Sequence, residues 1–329
     1  MRRLSVLVLA LLLLPAAAAT FPYPSPPAGV DPTDFAAYTF LPAGAPLPND
    51  YAGGDVWKYS GERASDPALR EDPAELYGVT GMAVDRAWRI TTGRPDVLIA
   101  VLDSGIIWER ADVRAKIHLN AGEIPGAIDR DGNGVLNVLD FEGLVPDVNG
   151  NGFVDGLDLI RFYSDGVDDD GNGYVDDIAG WNTLDDNNDP TDDVRYGHGS
   201  GEAEDSAGEA DNGGVIPGTC PNCMILPVRV GMSFIATDNE FGEGVLFALA
   251  AGADVIQEAL GTVDNTPLAR HALRLAWERG VPVIASAADE ASYHHNLPAA
   301  HEHTINVNSV TRAGCPSRSD DRAAEASMI

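Results

Sequence analysis

Cysteine and basic residues are both scarce in this chain of 329 residues: it has 3 cysteines, and 21 lysines and arginines stand against 51 aspartates and glutamates. The formal charge of −30 argues against nucleic acid and anionic membranes as partners, because phosphate would be repelled. Also missing is any apolar run approaching the roughly 20 residues that cross a bilayer. The run from Leu4 to Leu14 is too short, and its flanks, Met1-Arg2-Arg3 before it and Pro15 with Ala16 to Ala19 after it, give the layout of a secretory signal peptide over 1–19. The mature protein is therefore expected to be exported and soluble, with no membrane insertion once the signal is removed. Its few cysteines allow one disulfide and one odd thiol. Cys220 and Cys223 are the candidates for a small local bridge; a zinc half-site is the alternative, although no second Cys or His pair has matching spacing.

Apolar sequence is present in ordinary measure, at 44% of residues, which suits a globular core. Residues 20–75 are rich in Pro, Gly, Asp and Tyr without periodicity and read as an extended segment, with no clear prodomain. After them, apolar runs at Val97–Val101, Met224–Val230, Asp254–Leu260, Val281–Ala287 and Thr304–Val310 predict buried strands. Helical periodicity marks Met82–Ile90, Glu240–Ala251 and Pro267–Arg279, the last capped by Thr266, opened by Pro267 and closed by Gly280. Strands that are apolar throughout and alternate with helices predict an α/β fold, a parallel sheet covered on both faces. In such sheets functional residues gather at the carboxyl ends of strands, which draws attention to Asp103, Ala259 and Asp289.

The acid is concentrated, and in a pattern. Asp129, Asp131, Asn133, Val135 through its carbonyl, Asn137 and Asp140 have the oxygen-ligand spacing of an EF-hand loop, with Gly134 at the sharp turn. Asp147, Asn149, Asn151, Phe153 through its carbonyl, Asp155 and Asp158 repeat it. Asp168, Asp170, Asn172, Tyr174 through its carbonyl and Asp176 repeat it again, but Ala179 stands where the closing carboxylate belongs and Asp177 is the nearest substitute. A hard dication wants six to eight oxygens, and alternate short acids and amides of a turning loop can converge on one point, so calcium is the expected cofactor of an insert over 129–180. With Leu139, Phe141, Leu157 and Ile160, the first two loops also resemble dockerin repeats.

Val97 to Ile106 is a strand ending in Asp103-Ser104-Gly105 and closely resembles the Asp motif of subtilisin-like serine proteases, the subtilases. Gly197-His198-Gly199-Ser200 is similar to the same family's His motif, and Asp168 to Asn182 resembles a stretch many bacterial members carry before that His. Asp254 to Gly261 resembles the family's substrate-binding strand, with Ala259, Leu260 and Gly261 at the place that pairs with an extended peptide. Val283 to Ser292 resembles the stretch carrying the oxyanion Asn, with Asp289 at that position. An ionised carboxylate there would repel a developing oxyanion, whereas a protonated one could donate to it.

The resemblance implies a partial subtilisin-like αβα domain over 76–310, acting on peptide or protein substrates with Asp103 orienting His198 as general base. It departs from the family in three places, at Asp289, after His198 and at the nucleophile. The stretch Gly201-Glu202-Ala203-Glu204-Asp205 after His198 is polar where the family is apolar. The downstream His294 and His295 read as substrate-side or structural residues or a metal pair, and His301 and His303 as surface residues. No Gly-Thr-Ser-Met-Ala motif follows; Ala326-Ser327-Met328 only echoes it, and the polar tail 311–329 reads as aberrant or truncated. As written the chain is expected to be inactive alone. The alternative is an exported calcium-binding interaction module on a relic protease scaffold.

Overall fold

The computed structural model of the chain describes residues 82, 84–88, 90–210, 212, 217–233, 235–262, 264–288 and 296–308. The signal peptide, the segment 20–75, Asp289, His294, His295 and the tail 311–329 lie outside the described residues. Six strands, β1 (Leu98–Asp103), β2 (Trp181–Asn182), β3 (Met224–Arg229), β4 (Val255–Glu258), β5 (Val283–Ser286) and β6 (Ile305–Val307), form one sheet in the order β2-β3-β1-β4-β5-β6. Every strand pair is parallel. The first strand is central, and the chain fills positions on one side of it before crossing to the other. That puts the reversal of strand order at β1, whose carboxyl end is the usual ligand position of an open parallel sheet.

Among the described residues the α-helices are α1 (Val84–Ala87), α2 (Ala111–Arg114), α3 (Gly156–Tyr163), α4 (His198–Ala207), α5 (Asp238–Ala250) and α6 (Pro267–Arg279). Alternation along β1 divides the core in two. Leu98, Ala100 and Leu102 pack with Phe241, Val245, Leu273 and Ala276 of α5 and α6, while Ile99 and Val101 pack with Ile225, Ala203 and Ala207 on the α4 side. The acidic insert is part of this second layer, since Phe141, Leu157, Leu159 and Ile160 are buried in it.

Several boundaries differ from the sequence expectation. The predicted strand Val97–Val101 runs on to Asp103, because Leu102 and Asp103 pair with Val228 and Arg229. The run Asp254–Leu260 narrows to Val255–Glu258, leaving Ala259 and Leu260 beyond the strand. Of the expected strand Thr304–Val310 the structure describes residues 304–308, in which Ile305–Val307 form a strand whose three residues are exposed instead of buried. The expected helix Met82–Ile90 is the single turn Val84–Ala87, and α5 starts two residues earlier than expected. Pro267–Arg279 agrees to the residue: the Thr266 hydroxyl accepts from the Ala269 N–H and Gly280 takes φ +76°. The polar α4 does pack, because Gly199, Ser200, Ala203 and Ala207 are the residues it buries, all small enough for close approach to the sheet.

Candidate active site and acidic loops

Asp103 is the last residue of β1 and is buried; His198 is the first residue of α4. The His198 Nδ1 lies 2.9 Å and 3.0 Å from the two Asp103 carboxylate oxygens. Asp103 Oδ1 also accepts the Ser104 backbone N–H at 2.6 Å. The Tyr196 ring is stacked near the imidazole, with centroids 5.9 Å apart. A carboxylate at Nδ1 fixes the tautomer with the base lone pair on Nε2 and stabilises the imidazolium that forms when a proton is taken there.

The two motifs are interlocked behind this pair. Asp192 is buried and accepts from the Gly197 N–H at 2.7 Å, the Tyr196 N–H at 3.2 Å and the Ser104 hydroxyl at 3.3 Å. The Ser104 hydroxyl accepts in turn from the Gly199 N–H at 3.1 Å, and the Ser200 hydroxyl accepts from the Ile107 N–H at 2.7 Å. Gly199 has to be glycine: a Cβ there would collide with the Gly105 carbonyl and crowd the Asp103 side chain. Arg229 anchors the preceding segment through the Thr191 carbonyl at 3.0 Å and the Asp193 carboxylate at 2.6 Å.

Two further acids stand beside the pair, Glu202 and Glu258; the sequence marks Glu202 only as part of a polar stretch and gives neither acid a role. Glu202 follows His198 by one helical turn and accepts from Gln257 Nε2 at 2.5 Å, while the Gln257 Oε1 accepts from the Ser206 hydroxyl. Burial, reinforced by the Asp103 charge, pushes Glu202 up to about 7 against the opposing pull of His198. Glu258 ends β4 and is buried; its carboxyl accepts from the Leu260 N–H, yet among the described residues its Oε2 has no hydrogen-bond partner. Burial, with the Asp103 charge adding to it, raises Glu258 well above the ordinary carboxylate range. The available signals were the acid in the turn after His198 and a Glu inside an otherwise apolar strand.

The segment Ala259, Leu260 and Gly261 follows β4 at the same end of the sheet. Leu260 is buried, Gly261 bridges to Ile235 and Thr262 pairs with Leu297. Asn296 ties this edge to β5 through a 2.8 Å bond from Nδ2 to the Ser286 carbonyl. Cys220 and Cys223 are joined in a disulfide, so they are not a zinc half-site. The oxyanion position, Asp289, is outside the described residues. His301 and His303 are half-buried, with the His303 ring stacked on Trp277.

The three acidic loops share one hydrogen-bond pattern. In each, the first carboxylate, of Asp129, Asp147 or Asp168, accepts backbone N–H groups three, four and five residues on, at 2.7–3.2 Å. Asp140 closes the first loop, accepting from Arg130 and Asp131 on one oxygen and from Asn137 on the other. Asp158 does the same for Val148, Asn149 and Asp155. In the third loop this place is taken by Glu123, far upstream, which accepts from Asp169 and Asp170 on Oε1 and from Asp176 on Oε2. Asp176 itself does not face the loop: its φ is +56° and its carboxylate accepts from Asp165 and Gly166. Asp177 turns inward instead, accepting from Asn120 and Asn172.

Carboxylate oxygens of Asp129, Asp131 and Asp140 lie within 4.8 Å of one another, as do those of Glu123, Asp168 and Asp170. Like charges this close call for a cation or for protons. The middle loop has Asn149 where the others have Asp131 and Asp170, and Asn149 and Asn151 both turn their amide N–H on Asp155.

The model of the subtilase family matches residues 94–328, which takes in the polar tail set apart above. The thermophilic serine proteinase of Bacillus sp. (strain AK1) is 32% identical over 134 residues, 40% of this chain and 33% of that protein. Thermitase of Thermoactinomyces vulgaris is 36% identical over 132 residues, 40% of this chain and 46% of that protein. The chain thus spans between a third and a half of these relatives. Among solved structures, fervidolysin from Fervidobacterium pennivorans, a keratinolytic enzyme related to subtilisin, matches at 20% identity with a TM-score of 0.43, over 79% of this chain and 31% of that one.

Proposed function

The chain belongs to the subtilase family, and from that premise we propose that it is an exported, calcium-dependent endopeptidase of the serine type in which Asp103 orients His198. The carrying observation is the 2.9 Å contact between His198 Nδ1 and the buried Asp103. In this reading His198 accepts the proton of a serine hydroxyl at Nε2 as that oxygen attacks a peptide carbonyl, and returns it to the leaving amine. The segment Ala259 to Gly261 would hold the extended substrate through its backbone. No residue is assigned as the nucleophile, because Ser327 lacks the Gly-Thr that precedes the family's serine; labelling of the chain is what would assign one. The basic start, apolar run and small residues of Met1 to Ala19 support export.

Calcium fits the insert by its donor set. The clusters around Asp129 and Asp168 offer only oxygen, at the separations a hard ion needs, and each is closed by a buried carboxylate, Asp140 or Glu123. The bound ion would supply positive charge and cross-links that stiffen the segment between β1 and β2. These loops favour the second reading too, a calcium-binding interaction module in which the protease scaffold does no chemistry.

One experiment separates the readings. The full chain with calcium is treated with a fluorophosphonate and with fluorogenic peptides, alongside H198A and D103N. Labelling or hydrolysis that falls by about 10⁴ in D103N, and as far in H198A, carries the protease reading. Reaction that survives H198A overturns it, and calcium uptake without labelling or hydrolysis favours the module.

A further inference from the structure

An Asp–His pair works because one carboxylate is matched to one imidazolium. A second ionised carboxylate at the same ring would hold the proton on the imidazole and remove its capacity to act as a base. Here two more carboxyl groups converge on the pair, Glu202 from α4 and Glu258 from β4. Glu202 is not a loose surface acid. Gln257 clamps it at 2.5 Å, and Ser206, one turn further along α4, holds the far end of the Gln257 amide. Such a clamp ties the carboxyl, one turn after His198 on the same helix, to the strand that pairs with β1.

We propose that Glu202 is a positioning residue of the Asp103–His198 pair, a clamped carboxyl that exchanges protons with its surroundings and so sets how tightly the imidazole holds its own. The inference rests on the reading of Asp103 and His198 as a catalytic pair. The charged groups facing Glu202 are Asp103 from β1, His198 and Asp205 from its own helix and Glu258 from β4. From the α2 side, Arg110 and Asp112 act on Glu204 instead. On β3, Arg229 is committed to the Thr191 carbonyl and Asp193. Among the described residues the nearest charges are thus the pair itself and other acids, so Glu202 has every reason to take up a proton as the medium becomes mildly acidic. Once neutral, it leaves Asp103 as the counter-charge of His198 and lets the imidazole give up its proton more readily.

The test follows the His198 ring by nuclear magnetic resonance across pH in the full, calcium-loaded chain with isotope-labelled histidine, H198Q providing the assignment. In the wild type the ring titrates in two steps, because two interacting sites share them. E202Q gives a single step with its midpoint lower by about one pH unit, the effect of removing a nearby opposite charge. Q257L and S206A, which release the clamp without touching either acid, shift the curve in the same direction by less. A wild-type curve superimposable on that of E202Q overturns the proposal. Should E202Q fail to fold, unchanged curves in both Q257L and S206A overturn it equally. D103N separates this from the underlying reading: if Asp103 is not the partner of His198, D103N leaves the ring unmoved whatever E202Q does.

Discussion

A buried carboxyl with one oxygen unpartnered is an expensive thing to place in a sheet, and Glu258 is such a group. Its folded-state proton affinity lies above the ordinary value of 4.5, so folding favours the protonated acid. The sign follows: the fold bears no ionisation cost below that ordinary value and loses stability as pH rises through and beyond it. E258M is accordingly expected to stabilise the chain by about 1–3 kcal/mol near neutral pH, the usual cost of an unsatisfied buried polar group. Chemical denaturation should show the gain growing from about pH 5 to about pH 8. An equal gain at both would mean that only packing had changed. Asp192 is the opposite case, a buried carboxylate with three donors. Since hydrogen bonds to charged groups contribute about 1.5–3 kcal/mol each, D192A should lower stability by at least that amount. D192N, which keeps an acceptor, should lower it by less. Asp103 and His198 were legible in the sequence because each sits in a motif of fixed order; Asp192 and Glu258 were not, because a backing carboxylate has no spacing rule.

Among the elements, legibility followed local signals. The helix Pro267–Arg279 carries its own start and stop residues, and its bounds agree with the structure to the residue. β2 is two residues long and leaves no period to read. α3 was hidden inside what spacing identified as the end of a metal loop: Asp155 and Asp158, expected as ligands, also form the capping box that opens this helix. The third acidic loop shows the limit most clearly. Its spacing pointed to Asp177 as the substitute for the missing closing carboxylate, whereas the N–H groups of Asp169, Asp170 and Asp176 go to Glu123, which the chain delivers from a 3₁₀ turn capped by Asn120. A local pattern cannot name a ligand that arrives from another segment. E123Q should therefore weaken calcium binding at the third loop by about tenfold or more while leaving the first loop intact, and D140N should do the reverse. Calorimetric titration reads both; loss of the same site in the two variants would show that the loops do not act separately.

For the molecule as a whole, the charge of −30 is a standing destabilising term, since a compact chain brings its own acids together. Much of that acid lies in the loops between β1 and α4, whose apolar residues form part of the core on the α4 side of the sheet. Two kinds of relief are physically distinct. Salt screens exposed charges over roughly 8 Å at physiological ionic strength and should relieve general repulsion regardless of which cation provides it. Coordination relieves specific clusters, within 4.8 Å, such as Asp129, Asp131 and Asp140. If coordination dominates, removal of calcium with a chelator lowers the thermal midpoint, and added calcium restores it with the concentration dependence of ligand binding, about 2.7 kcal/mol at a hundredfold excess over Kd. Magnesium, which demands near-ideal octahedral geometry and holds its water, should restore less. Sodium chloride at matched ionic strength should restore only the screening part. Equal recovery with sodium chloride and with calcium would mean that the loops are merely a solvated acidic surface, and the calcium reading of this insert would fall with it.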